Sequence, residues 1–157
     1  MSSSEHLVAE LEFSWRPFTV GREHLSFDQH RVARLARSLC SHWGPAVYKW
    51  QGLLSAGPQS GKTALLIGET ADLRQRIKQY VSGPQVRGNR LWRETFLTLG
   101  EVRLYTLEVR SMAVDGVKLE LPNLMASTNM RLVVEQLLVM RAVAARDASV
   151  WIVNARQ

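Results

Sequence analysis

Two short apolar runs near the middle of the chain predict the first pair of strands in a sheet. Residues 46–50 and 64–68 include Val, Ile, Tyr and Trp, which favour strands. The segment 52–62 between them contains three glycines and a proline, so it predicts a hairpin with a long loop. Apolar and polar residues alternate over 102–109, which indicates a third strand. Residues 151–153 predict a short last strand.

The N-terminal part of the chain predicts a strand followed by a helix. The strand is expected within residues 11–20, interrupted by Pro17, because proline cannot donate a hydrogen bond to a sheet. Ser26 opens a Ser-x-x-Gln capping pattern, and apolar residues three and four apart follow it. This spacing predicts a helix that ends before Gly44.

Two further segments have helical spacing. Thr70 is the expected N-cap of a helix at 71–81, because a threonine oxygen can accept from the free amides at a helix start. Ser127 or Thr128 is expected to cap a long helix that runs to about Ala145. The apolar face predicted for this long helix includes Met130, Val133, Val134, Leu137, Leu138 and Met140.

The charge of the chain favours a nucleic-acid partner. The 157 residues include 20 Lys and Arg against 14 Asp and Glu, which gives a net charge of +6. Most of the basic residues are Arg, whose planar guanidinium binds two phosphate oxygens at once. With this length and an apolar content of 46%, we expect one globular domain with a nucleic acid as its leading partner.

The cysteine content and the hydropathy of the chain indicate the cellular compartment in which the protein is expected. Cys40 is the only cysteine, so a disulfide framework and a thiolate zinc site are excluded. A reducing, cytoplasmic location is therefore expected. The chain has no run of about 18 uncharged apolar residues and no basic segment leading into an apolar one at its start. We expect neither a membrane span nor a signal peptide.

Four short features occur in a fixed order between the first strand and the helix that follows the hairpin. Tyr48 ends the segment Ala-Val-Tyr, and Leu66 begins the segment Leu-Ile-Gly on the next strand. Arg76 and Tyr80 follow four residues apart, and are therefore neighbours on one side of a helix. This order resembles the GIY-YIG nuclease family, named for two short motifs on adjacent strands. The tyrosine of the second motif is Leu66 here, a departure from the family pattern.

The resemblance covers roughly residues 45–154 and implies an α+β fold. The family fold is a small, mostly antiparallel three-stranded sheet flanked by helices. Residues 1–44 would then be an N-terminal strand-helix extension, packed on a nuclease domain at 45–157.

The resemblance also implies a divalent-metal-dependent DNA endonuclease that hydrolyses phosphodiester bonds. Tyr48 would be the general base and Arg76 the clamp on the scissile phosphate. Tyr80 would support hydrogen bonding or proton transfer. Glu135 would be the single protein ligand of Mg²⁺ or Mn²⁺, and Asn154 is a weaker match to a C-terminal asparagine of the family.

A tyrosine base needs positive charge nearby, because its ordinary pKa near 10 leaves it protonated at neutral pH. Lys49 and Arg76 are expected to favour the phenolate of Tyr48. A restriction-type enzyme would suit a homodimer, because short palindromic sites match two-fold symmetry. The basic residues expected to bind nucleic acid are Lys49, Lys62, Arg74, Lys78, Arg87, Arg90 and Arg93.

Three other interpretations remain open. Leucine can neither hydrogen-bond nor carry a proton, so Leu66 would also fit a nucleic-acid-binding module of the same fold that has lost catalysis. Residues 56–63 fit a relaxed phosphate-loop pattern of a small NTP-binding protein, although a strand rather than a helix is expected after them. Glu135 could also pair with Arg131, four residues earlier, as a surface ion pair of little energetic value.

Overall fold

The computed structural model describes residues 4–27, 44–82 and 101–153, which form a curled sheet with a helix against each face. Within these ranges the strands are β1 (Ala9–Pro17), β2 (Thr19–Val20), β3 (Glu23–His24), β4 (Ala46–Leu53), β5 (Thr63–Thr70), β6 (Val102–Val114), β7 (Val117–Lys118) and β8 (Val150–Ile152). The helices are α1 (Leu73–Ser82), α2 (Leu121–Ala126) and α3 (Thr128–Ala144).

The main sheet has six strands, in contrast to the three predicted. Five of them follow in the order β1-β6-β4-β5-β8, and β7 pairs with β6. Neighbouring strands are antiparallel except β5 and β8, which are parallel, so the sheet is mixed. The three predicted central strands are confirmed as parts of β4, β5 and β6, but the predicted small three-stranded sheet is wrong.

The length of β6 explains the larger sheet. This strand has 13 residues and extends well beyond the predicted 102–109. Its first residues pair with β4, while residues 105–114 pair with β1 along the other edge. Residues 9–17 are therefore an edge strand of the main sheet and not part of an appended extension. The helix predicted after Ser26 lies outside the described residues, and the boundary near residue 44 stays a prediction.

The two faces of the sheet bury different sets of side chains, because successive residues of a strand point to opposite sides. On one face, Tyr48 and Trp50 of β4 pack with Leu73 and Ile77 of α1. On the other face, Val47 packs with residues of β5 and α3. The second cluster includes Ile67, Val134 and Leu138, with Leu11, Phe13 and Trp15 of β1 packed against it.

Helix α1 begins at Leu73, and Asp72 rather than Thr70 caps it. The Gln75 amide donates to Asp72 Oδ1 over 2.9 Å, which is the usual N-cap geometry. Thr70 lies two residues earlier, and its hydroxyl accepts a hydrogen bond from the Asp72 amide over 3.1 Å. The predicted cap was therefore two residues early. The two short side chains act in sequence, one closing the turn and the next starting the helix.

Helix α3 begins as expected, with the Ser127 hydroxyl accepting from the Met130 amide. Its buried face differs from the predicted one. The fully buried residues are Arg131, Val134 and Leu138, whereas Val133 and Met140 are 46% and 65% exposed. A helical period of 3.6 brings the three buried positions onto one stripe. The predicted face did not include Arg131.

The loop between β4 and β5 closes a hairpin, as predicted. Leu54 and Lys62 bond across its base, where the Leu54 amide donates to the Lys62 carbonyl over 2.8 Å. Gly57 and Gly61 both have φ near +83°, a conformation that favours glycine. Thr63 then starts a strand, whereas a phosphate loop would lead directly into a helix at this point.

None of the helices within the described ranges is long and apolar enough to cross a membrane.

The cap at Asp72 gives the first testable prediction. Asp72→Ala removes the acceptor for the Gln75 amide, and we expect it to lower the free energy of unfolding by about 1 kcal/mol. Asp72→Asn keeps a side-chain oxygen at the same place, so it serves as the matched control and is expected to cost much less. Urea unfolding of the three proteins measures both values. Equal losses in the two variants would contradict the cap.

Candidate active site

Tyr48 and Gly68 lie opposite each other on β4 and β5. The tyrosine ring lies directly over the glycine: a Cβ added to Gly68 would be 2.6 Å from Tyr48 Oη and 2.7 Å from Cζ. Glycine is therefore required at the end of the Leu-Ile-Gly segment, since any side chain would displace the tyrosine. The two motif-like segments from the sequence are thus in direct contact.

Tyr80 approaches the same point from α1. Its hydroxyl is 3.0 Å from the hydroxyl of Tyr48, a hydrogen bond in which either oxygen can be the donor. The rings meet edge to face with centroids 6.4 Å apart, and Trp50 packs against Tyr80 in the same way. Both tyrosines are buried, with 2% and 6% of their surface exposed. The pair is therefore fixed by ring packing as well as by its hydrogen bond.

Arg76 lies one helical turn before Tyr80, and it is partly buried. Its Nε atom is buried without a hydrogen-bond partner in the part of the chain that the structure describes. Buried donors are normally satisfied, so this one can take an acceptor that the described residues do not supply. The positive charge of Arg76 lowers the pKa of both tyrosines.

Burial has the opposite and larger effect on the tyrosines. It raises the pKa of Tyr48 well above its ordinary value, and the neighbouring Tyr80 adds to the rise. Burial likewise raises the pKa of Tyr80. Both hydroxyls are therefore protonated at neutral pH, one donating to the other. The expectation that the environment of Tyr48 favours its phenolate is not met by the protein groups alone.

Glu135 approaches this site from α3, at an open part of the β5 edge. Strand β8 pairs with only three residues of β5, ending at Leu65, so within the described ranges no strand covers 66–70 on that side. There the Glu69 amide donates a hydrogen bond to the Glu135 carboxylate. The charges of Glu135 and Arg76 act on each other and on both tyrosines. The structure thus brings together all four residues predicted to be catalytic.

The pKa of Glu135 is raised, first by its partial burial and then by the charge of Glu69. The hydrogen bond from the Glu69 amide and the charge of Arg76 act in the opposite direction. A carboxylate held next to a second carboxylate gains stability from any cation that binds to it. The chemistry of this pair therefore suits one hard divalent ion that keeps most of its waters. Across residues 4–27, 44–82 and 101–153, no group of three or more acidic, His or Cys side chains could form a complete metal cage.

A contact between Glu69 and Arg131 was not predicted from the sequence. Arg131 is 1% exposed, and its Nε donates to Glu69 Oε2 over 3.0 Å. Its other nitrogens donate to the carbonyls of Met125 and Ala126 and to the Thr128 hydroxyl, over 2.8 to 3.0 Å. The alternative in which Arg131 pairs with Glu135 on the surface is thus replaced by a buried ion pair with β5. An arginine inside a buried helical stripe was the signal available in the sequence.

Lys49 lies on the opposite face of the sheet from Tyr48, since the two are neighbours along β4. Its Nζ is 4.9 Å from the ring centres of both Trp15 and Tyr105, and burial lowers its pKa to about 8. The predicted effect of Lys49 on the phenolate of Tyr48 is therefore wrong, because alternation along the strand separates the two side chains.

The remaining predicted residues are dispersed. Leu66 is buried on the same face as Tyr48, opposite Trp50, so the position where the family has tyrosine carries no hydroxyl. Lys62 is half-buried at the base of the hairpin loop, Arg74 is partly exposed on α1, and Lys78 is exposed there. Four predicted residues lie outside the described ranges: Arg87, Arg90, Arg93 and Asn154.

Comparisons of the chain with models of protein families, with curated proteins and with solved structures found no match.

The contact between Gly68 and Tyr48 gives a prediction about packing. Gly68→Ala places a methyl group inside the tyrosine ring, and we expect a loss of about 1–3 kcal/mol in the free energy of unfolding. Gly44→Ala is the matched control, because a Cβ at Gly44 would meet nothing within 4 Å. Chemical unfolding measures both. A Gly68→Ala protein as stable as Gly44→Ala would contradict the close approach.

The hydrogen bond between the tyrosines gives a prediction about coupling. Tyr48→Phe and Tyr80→Phe each remove one partner, and we expect each to cost about 1–3 kcal/mol. The double variant is expected to cost clearly less than the sum, because both partners are then removed together. Additive losses in this double-mutant cycle would contradict the bond.

The same cycle has a predicted pH dependence. The pKa of each tyrosine is raised in the folded protein above its unfolded value near 10. The stability that the pair contributes is therefore complete below about pH 10 and is lost as the pH rises further. We expect the stability difference between the wild type and the double variant to shrink above that pH.

Proposed function

We propose that this protein is a divalent-metal-dependent endonuclease that hydrolyses phosphodiester bonds in DNA. One observation carries the proposal: the hydrogen-bonded hydroxyls of Tyr48 and Tyr80 lie within electrostatic reach of Arg76 and Glu135. These four residues come from a strand and two helices, and they are the ones that the GIY-YIG resemblance assigns to catalysis. The sheet is larger than that family's, so the support comes from the site and not from the fold.

Each residue has a role that suits its environment. The buried Nε of Arg76, without a partner among the described residues, would donate to an oxygen of the scissile phosphate. Charge placed there stabilises the transition state of phosphoryl transfer. The resting Tyr48 hydroxyl would first lose its proton to solvent, a loss that the charges of Arg76 and of a bound divalent ion would favour. Its phenolate, stabilised by a hydrogen bond from the Tyr80 hydroxyl, would then accept a proton from the attacking water and return to the phenol.

Glu135 would hold the ion, Mg²⁺ or Mn²⁺, beside the Glu69 amide. A bound divalent ion supplies positive charge that lowers the pKa of nearby groups and polarises phosphoryl oxygens. Glu69 is already engaged by Arg131, so its carboxylate adds negative charge near the ion but is held away from direct competition. Glu135 would then be the one carboxylate that ligates the ion, and water molecules would supply most of the other ligands.

DNA is the proposed partner because the chain is basic and rich in arginine. A restriction-type activity and a homodimer form the finer part of the proposal and rest on the match between palindromic sites and two-fold symmetry. A cytoplasmic location rests on the single cysteine.

A second function is favoured by one observation. Leu66 is buried where the resemblance expects a tyrosine, and the pKa values of the two remaining tyrosines are raised. A chain that binds DNA without cutting it would have both properties. We therefore keep a catalytically impaired nucleic-acid-binding module as the alternative.

The test is incubation of the purified protein with plasmid and genomic DNA in Mg²⁺, Mn²⁺ or EDTA. We expect metal-dependent cutting that falls by about a hundredfold or more in Tyr48→Phe, Arg76→Ala and Glu135→Gln. Glu135→Gln keeps an oxygen for the Glu69 amide, so a loss there reports the charge and not the fold. Glu10→Gln, an exposed carboxylate on β1, is the matched control and should cut normally.

The two functions predict different metal binding. Calorimetric titration with Mn²⁺ should give one site that Glu135→Gln abolishes if the protein is the nuclease. Salt-sensitive DNA binding with no cutting of any substrate and no Mn²⁺ site would overturn the nuclease and support the binding module. Cutting that is unchanged in all three variants would overturn the assignment of the site.

A further inference from the structure

A cavity of about 540 Å³ lies on the face of the sheet away from Tyr48. Residues of β1, β4, β5, β8 and α3 line it. Its volume lies within the range typical of small-molecule sites, about 300–1,000 Å³. Nothing in the proposed nuclease reaction uses this cavity, because it is separated from the tyrosine pair by the sheet itself.

Two cations face the cavity, and aromatic rings of β1 hold both of them. Lys49 Nζ lies over the Trp15 ring, and the guanidinium of Arg141 lies 5.2 Å from the centre of the Phe13 ring. The two rings pack edge to face with centroids 6.2 Å apart. The result is a continuous series of contacts from one cation to the other, in which the ring pair sets the position of each charge.

Neither cation has a carboxylate or another hydrogen-bond acceptor among the residues that the structure describes. For Lys49 this is unusual, because the side chain is half-buried and a buried charge is normally paired. Its pKa is lowered to about 8 by burial, and none of the described residues supplies a counter-ion that would oppose the effect. An anion in the cavity would reverse that penalty. The two unpaired charges match a dianion better than a single carboxylate.

The remaining lining indicates what the anion is attached to. Leu65, Ile67 and Leu138 give the cavity an apolar wall, and Gln51 and Thr63 add side chains that can donate hydrogen bonds. A free inorganic ion would leave most of this volume and the apolar wall unused. Phosphate oxygens accept from Lys, from Arg and from neutral donors at once.

We propose that this cavity binds a phosphomonoester about as large as a mononucleotide, with Lys49 and Arg141 holding the phosphate against the apolar wall. Two sources carry this chemistry: a free nucleotide, and the terminal phosphate of a nucleic-acid strand. The site is independent of the proposed nuclease site, because it lies on the other face of the sheet and shares no residue with it.

The test uses the full chain in EDTA at neutral pH, with calorimetric titration of adenosine 5′-monophosphate. Adenosine and inorganic phosphate are the comparison ligands. We expect the monophosphate to bind, and to bind at least about tenfold more tightly than either comparison ligand, because each alone meets only part of the cavity. Absence of binding, or equal affinity for adenosine, would overturn a free-nucleotide site.

The second arm compares a short single-stranded oligonucleotide with a 5′-phosphate and the same strand with a 5′-hydroxyl. Preference for the phosphorylated strand, without binding of the free monophosphate, assigns the site to strand ends. No preference in this arm and no binding in the first overturns the proposal.

Variants of the residues that line the cavity test whether the phosphate binds there. Lys49→Met and Arg141→Gln are each expected to weaken phosphate-dependent binding by about tenfold or more. Arg141 is exposed, so its variant tests the site even if Lys49→Met changes the fold. Lys118→Met, an exposed cation on β7 outside the cavity, should bind as the wild type does. Binding unchanged in Arg141→Gln, or lost equally in Lys118→Met, would contradict the assignment.

Discussion

The register between β4 and β5 is the constraint on which the rest of the structure depends. Tyr48 is opposite Gly68, and only glycine leaves room for the ring. A shift by one residue would turn every side chain of β4 to the other face. Lys49 would then enter the cluster of aromatic rings beside α1, and Tyr48 would leave its partner on that helix. The absence of a side chain at Gly68 therefore determines both the packing of the core and the position of Tyr48 in the candidate site.

A second constraint joins the two helices that follow β6 to the sheet. Arg131 contacts Glu69 on β5 and the carbonyls at the end of α2. An ion pair at this depth contributes little net stability, because desolvating both charges offsets their attraction. The ion pair instead fixes orientation, since each of the guanidinium nitrogens has at least one specific acceptor. The start of α3, and with it Glu135, is held at the unpaired part of the β5 edge.

The sequence predicted local structure well where one periodic pattern was sufficient. The hairpin of β4 and β5 and the cap of α3 at Ser127 agree with the structure. The size of the sheet was not predictable in the same way, because β1 and β6 pair across a long stretch of chain and neither strand contains a local sign of the other.

The errors at individual residues have a common physical origin. Arg131 is buried because Glu69 pairs with its charge. The position of Arg131 in the helical stripe indicates burial, but its partner is 62 residues away in the chain, so no local pattern reveals the pair. Lys49 was expected near Tyr48 because the two are adjacent in sequence, whereas adjacency in a strand means opposite faces. In both cases the tertiary partner, and not the residue itself, decides the environment.

The pairing of β1 with β6 has a consequence for how the chain is made. The bond between Ser14 and Glu108 joins residues 94 apart, and the bond between Val8 and Asp115 joins residues 107 apart. On the ribosome, β1 is synthesised long before its partner, and contacts of such separation form slowly. In that interval Leu11, Phe13 and Trp15 have no strand beside them. Glu10, Glu12 and Arg16 alternate with them, and charges on an unpaired strand discourage pairing with another chain.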